Sequence, residues 1–108
     1  RKTKNLSVLT YNTKLSWAAY RHAQDLANNF PYDADQDGKK ETLSHIGTDG
    51  TRVYQRVDDL RYTYTFLAEN IAYNQSTAAQ VLYDWINSVP HQAVLVSSVA
   101  KDIGVAKV

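Results

Sequence analysis

Helical and extended patterns follow one another in this chain without a regular strand–helix–strand repeat, and that order constrains its fold more than any other feature. Leu15, Ala18, Ala19, His22, Ala23, Leu26 and Ala27 recur at helical spacing, so a helix is predicted over Leu15–Asn29, capped by Asn12 or Thr13 and stopped by Pro31. Its alanine-rich face allows a close neighbour. A second helix is predicted after Asp49-Gly50, with Asp49 as N-cap and Val53, Tyr54, Val57 and Leu60 facing inward. Residues 62–73 are rich in tyrosine, phenylalanine and isoleucine and read as strand, broken by Glu69-Asn70. Thr77 and Gln80 have the spacing of a capping box, followed by Val81, Leu82, Trp85 and Ile86, with Ser88-Val89-Pro90 ending that helix. Val94–Val96 reads as a short apolar turn and Ile103–Val108 as a strand. Helices packed on a small antiparallel sheet, an α+β fold, suit this order best.

The chain has 108 residues, which is one domain and no more. A 44% hydrophobic and 21% charged composition is that of a globular chain. Twelve basic and eleven acidic residues leave a formal charge of +1, so neither nucleic acid nor an anionic membrane is expected as the main partner. The basic opening Arg1-Lys2-Thr3-Lys4 is read as a solvated terminus. With no cysteine, no disulfide can staple the fold. No apolar run approaches the roughly 18 residues that span a bilayer, and no signal-peptide pattern is seen.

Ser44-His45, Glu69-Asn70 and Ser88…His91 concentrate the chemistry. Neutral imidazoles are common zinc ligands, and Glu69 can orient a ring, ligate a metal or hold a water. The competing reading is three unrelated polar residues, since no pair sits at i, i+4 on one helix. A polar Glu69-Asn70 pair inside an apolar stretch needs partners if it is buried. His22, on the apolar face of the first helix, is expected to be a packed structural histidine. Asp33, Asp35 and Asp37 with Gly38 reproduce the first half of a calcium loop, D-x-D-x-D-G, but the twelfth position is Ser44 rather than glutamate. Calcium or a plain acidic loop both fit. A serine nucleophile is disfavoured, because no G-x-S-x-G elbow exists.

Four segments in order resemble the CAP or SCP family, which includes cysteine-rich secretory proteins and many bacterial secreted proteins. They are the alanine-rich helix with His22-Ala23, Ser44-His45…Asp49-Gly50…Arg56-Val57, Glu69-Asn70-Ile71-Ala72, and Trp85…Ser88…His91 followed by Ile103-Gly104-Val105. The resemblance makes residues 1–108 a CAP domain. It implies a three-layer α/β/α sandwich with an open cleft, here lacking the family's first helix and last strand. An unpaired sheet edge would follow, through truncation or through swapping with a second copy in a homo-oligomer.

By the same resemblance His45, His91 and Glu69 map onto the cleft and hold zinc or another divalent metal, with Ser88 and Asn70 on its rim. The family's second glutamate is absent: that position is Ser88, which weakens any mechanism needing two carboxylates. The resemblance implies a secreted, extracellular or cell-envelope domain that binds a lipid, another small molecule or a protein. Two alternatives stand beside it. One is a metal-dependent hydrolase with Glu69 as catalytic general base; the other is a structural interaction domain without a metal.

Overall fold

The computed structural model describes residues 6–108, so the basic opening of residues 1–4 lies outside the described residues. Among the described residues six elements occur in the order β1 (Thr10–Tyr11), α1 (Thr13–Asn29), α2 (Val53–Asp59), α3 (Ala78–Ile86), α4 (Val89–Leu95) and β2 (Asp102–Ile103). Helix α1 packs on α2, and α3 on α4. β1 and β2 pair in parallel, with Thr10 opposite Asp102 and Tyr11 opposite Ile103. The Thr10 N–H donates to Lys101 O and the Asn12 N–H to Ile103 O, both at 2.8 Å. This ladder draws together residues more than 90 positions apart.

Helix α1 starts as its sequence requires. The Asn12 side chain accepts the Leu15 N–H at 3.0 Å, satisfying one of the donors that a helix start leaves unpaired. Pro31 cannot donate, and the helix is over by Phe30. Ala18 and His22, one turn apart on the same face, are 4% and 2% exposed. Against them α2 buries Arg56 and Val57, at 1% and 2% exposure. The small Ala18 side chain leaves room for these larger ones. Burying Val57 contributes roughly 1.5–3 kcal/mol, while Arg56 is stable there only because its charge is paired.

Four expectations need correcting. Asp49 does not cap α2: Arg52 stands at the N-cap, its N–H held by Gln55 Oε1 at 2.9 Å. Asp49 instead closes the preceding turn by accepting from the Thr51 N–H at 3.0 Å and the Thr51 hydroxyl at 2.6 Å. Gly50 completes that turn at φ +82°, in the left-handed region that suits glycine. Second, Ser88-Val89-Pro90 does not merely end a helix. It opens α4, because proline lacks an N–H only where a helix start leaves N–H groups unpaired anyway. The apolar turn at Val94–Val96 is therefore the end of α4.

Third, residues 62–73 carry strand-forming residues but form no ladder among the described residues. Strand propensity is a preference for a pleated, partnered surface, and this segment pairs with neither β1 nor β2. Fourth, the sheet is a two-stranded parallel ladder where an antiparallel one was expected, and its last strand ends at Ile103. Gly104 then lies so close to α1 that a side chain there would meet the Leu15 and Ser16 backbone. The chain at this point packs on a helix instead of continuing a strand.

Candidate binding site around Glu69 and Asn70

Glu69 and Asn70 grip two separate parts of the chain. One Glu69 oxygen accepts from His45 Nδ1 at 2.6 Å, and the other from Arg56 Nη2 at 3.0 Å. Next to it, Asn70 Nδ2 donates to the His91 carbonyl at 3.1 Å. The polar pair that interrupts an apolar stretch therefore has partners on the 44–45 loop, on α2 and on α4. Trp85 Nε1 adds a bond to the Ile71 carbonyl at 3.2 Å, and its ring stacks on His91 with centroids 6.4 Å apart.

Arg56 is the anchor of this group. Its Nη1 donates to the Thr51 carbonyl at 2.6 Å, and Nη2 reaches both the His45 carbonyl at 3.1 Å and Glu69. Burial pushes the Glu69 carboxyl upward, but the His45 hydrogen bond and the Arg56 charge outweigh it, so the group is held below its ordinary range. His22 supports the loop from beneath: its Nε2 donates to the Ser44 carbonyl at 2.7 Å. Burial, and then the nearby Arg56 charge, push its pKa down, which favours the neutral ring. The structural role expected of His22 is the one it has. A polar cavity of about 130 Å³ beside it is lined by Arg21, His22, Asp25, Asp49 and Arg56 among others, roomy enough for water.

His45 donates through Nδ1, which leaves the lone pair of Nε2 on an exposed ring. His91 Nδ1 lies 3.0 Å from Ser88 Oγ, so Nε2 is again the nitrogen left for a ligand. Both rings thus have the form in which one nitrogen is oriented and the other offered, as metal-binding histidines do. Glu69 is tied into the protein on both sides. Both its oxygens are engaged, and His45, Glu69 and His91 do not form a cluster with all ligand atoms within 4.8 Å. It fits as the group that orients His45. The site residues Ser88 and Asn70 hold His91 from its ring and from its backbone.

Asp33, Asp35 and Asp37 do come together, and Glu41 joins them with ligand oxygens all within 4.8 Å of one another. Glu41 stands at the ninth position of the loop pattern, a signal present in the sequence but overlooked in favour of the twelfth. The Asp37 N–H donates to Asp33 and Asp35, and the Gly38 N–H to Asp33 at 2.9 Å. An antiparallel bridge between Tyr32 and Glu41 closes the base of the loop. These four carboxylates are the residues that can offer oxygen ligands to a hard cation.

The chain belongs to CAP, the cysteine-rich secretory protein family, which matches residues 1–108. It lacks cysteine altogether, so in this member the fold stands without disulfides. Among solved structures it is similar to an extracellular protein containing an SCP domain from Bacillus anthracis str. Ames, determined at 1.5 Å. The TM-score is 0.86 at 23% identity, over 100% of this chain and 33% of that one. That likeness shows the fold, and the chain spans one third of that protein's length. No curated protein matches the sequence.

Proposed function

We propose that this chain is an extracellular ligand-binding domain whose recognition surface is built on Glu69-Asn70 and flanked by His45 and His91. The grip of these two adjacent residues on both histidine-bearing segments carries the reading. The extracellular setting of the Bacillus anthracis SCP-domain protein supports the location. In this reading residues 62–73 occupy the middle layer of the family's three-layer sandwich, and the ligand is a lipid or another small molecule.

Zinc or another divalent ion is proposed to bind through Nε2 of His45 and His91, supplying a positive centre for an anionic ligand group. Glu69 orients His45, and Arg56 keeps Glu69 ionised. This favours binding over hydrolysis: with its pKa lowered, the Glu69 carboxylate is a weaker base than a free one.

Calorimetric titration with zinc chloride tests the metal. Heat is expected from the wild type and its loss from His45→Ala and from His91→Ala; equal heats in all three refute it. Diheptanoyl phosphatidylcholine, followed by amide NMR, tests the ligand. Shifts centred on His45, Asn70 and His91 are expected, and an unchanged spectrum counts against a lipid.

A further inference from the structure

A second site is formed by residues that take no part in the Glu69 group. Helix α2 ends at Asp59, and Arg61 turns the chain at φ +59°. The turn is held by the Arg61 N–H on the Asp58 carbonyl at 2.9 Å and by Lys14 Nζ on the Arg61 carbonyl at 3.3 Å. The chain then presents Tyr62 and Tyr64, whose rings are near-parallel, 14° apart with centroids at 6.4 Å. Tyr62 is anchored by its hydroxyl on Asp102 of β2. Asp58, Arg61, Tyr62, Thr63 and Tyr64 line an open groove of about 540 Å³. Tyr54, one helical turn before Asp58 on the same face of α2, is half exposed. Desolvation, and then a hydrogen bond to Asp58 and its charge, push the Tyr64 hydroxyl up, and Tyr54 lies near enough to add to this.

The lining decides between ligand classes. One carboxylate and one guanidinium cancel, so the groove has no net positive charge with which to hold a nucleic acid. A lipid tail would press its methylenes against Asp58 and Arg61, stripping water from charged groups without replacing it. A sugar ring suits both halves of the surface. Its faces present C–H groups, positively polarised, to the negative face of a tyrosine ring. Its rim presents hydroxyls that a carboxylate can accept from, a guanidinium can donate to, and Thr63 can do either. Tyrosines already held in place lose little side-chain freedom on binding. The surface is open to solvent and not enclosed, so a chain longer than one ring can lie along it.

We propose that the groove between α2 and the Tyr62–Tyr64 segment is an oligosaccharide-binding site, with the tyrosine pair as stacking surface and Asp58 and Arg61 as hydroxyl partners. It is independent of any metal at His45 and His91.

The test is an amide NMR titration of the whole chain with chitohexaose and, separately, cellohexaose, each to about 10 mM, beyond the millimolar range of weak complexes. Saturable shifts centred on residues 58–64 are expected with at least one of them. Tyr64→Ala should weaken that binding about tenfold or more, and Tyr64→Phe should leave it within about threefold, because the ring face and not the hydroxyl makes the contact. Should Tyr64→Ala fail to fold, Tyr64→Leu keeps apolar bulk without a ring and should show the same loss. Absence of saturable shifts with both sugars, shifts confined to His45, Asn70 and His91, or undiminished binding in a folded ring-less variant would each overturn the proposal.

Discussion

Arg56 and Glu69 form an ion pair at 3.0 Å, with side chains only 1% and 13% exposed. The pair joins α2 to the segment that carries the candidate site. Arg56 is almost wholly buried, so its terminal nitrogens depend on Glu69 and on the Thr51 and His45 carbonyls, while its Nε has no hydrogen-bond partner among the described residues. Removing the carboxylate while leaving the guanidinium should be far worse than removing both. Glu69→Ala is expected to cost about 3–5 kcal/mol, and the Arg56→Met, Glu69→Leu double variant to recover much of that. Urea denaturation midpoints of the two proteins check the order.

Gly104 is a close-approach glycine. A Cβ there would run into the backbone at Leu15 and Ser16, which belong to the first turn of α1 and have no room to yield. Gly104→Ala is expected to cost about 3 kcal/mol or more, above the usual range of roughly 1–3 kcal/mol for overpacking, because backbone must move. The Val105 N–H, bonded to Ser16 Oγ at 3.2 Å, should lose its protection. Hydrogen exchange at Val105, alongside a thermal melt, reads both effects.

Trp85 joins α3 to the site segment through its indole N–H and to α4 through its stack on His91. Trp85→Phe keeps a ring but leaves the Ile71 carbonyl without that donor. A loss of about 1–2 kcal/mol is expected, with shifted His91 imidazole resonances in the NMR spectrum. Unmoved resonances would show that the stack does not position His91.

Acid should destabilise the domain through Asp25 and Asp49. Burial pushes the Asp25 carboxyl up, but hydrogen bonds from the Thr48 hydroxyl and N–H and from Asn29 outweigh it and hold it low. Asp49 is lowered by the Thr51 hydroxyl and then by Arg21. Both folded values lie below the ordinary carboxylate value of 3.8. The unfolded chain therefore takes up protons first, and stability present above that value is lost as pH falls through it toward the folded values. Urea midpoints measured from pH about 5 to about 2 should fall, less steeply in Asp25→Asn. The Arg21–Asp49 pair is half exposed and contributes the smaller part.

Local signals were legible where a residue acts on its own neighbours. Asn12 and Thr77 cap the helices they precede, with the Gln80 N–H on Thr77 Oγ1 at 3.1 Å. The Gln80 side chain, expected to close a capping box, bonds Asp84 Oδ1 at 2.8 Å instead. The cap needed only adjacent backbone, whereas the second half of the box had a competitor one turn ahead. The four motif segments placed the chain in its family, and Glu69-Asn70 stood out because charge in an apolar stretch demands a partner. The identity of that partner was not legible: Arg56 lies on a different element, and its burial follows from the packing of α1 on α2.

By itself, then, the sequence determined where α1 and α3 begin, which polar residues could not be idle, and that no disulfide would hold the domain. Those properties depend on residues within a turn or so of one another, or on composition. Only the tertiary structure decided that Pro90 starts a helix, that residues 62–73 pair with no described strand, and that Glu69 holds His45 with one oxygen and Arg56 with the other. Each of these depends on what a distant segment brings within about 3 Å, the range in which hydrogen bonds form, and one chain's residue order does not state those distances.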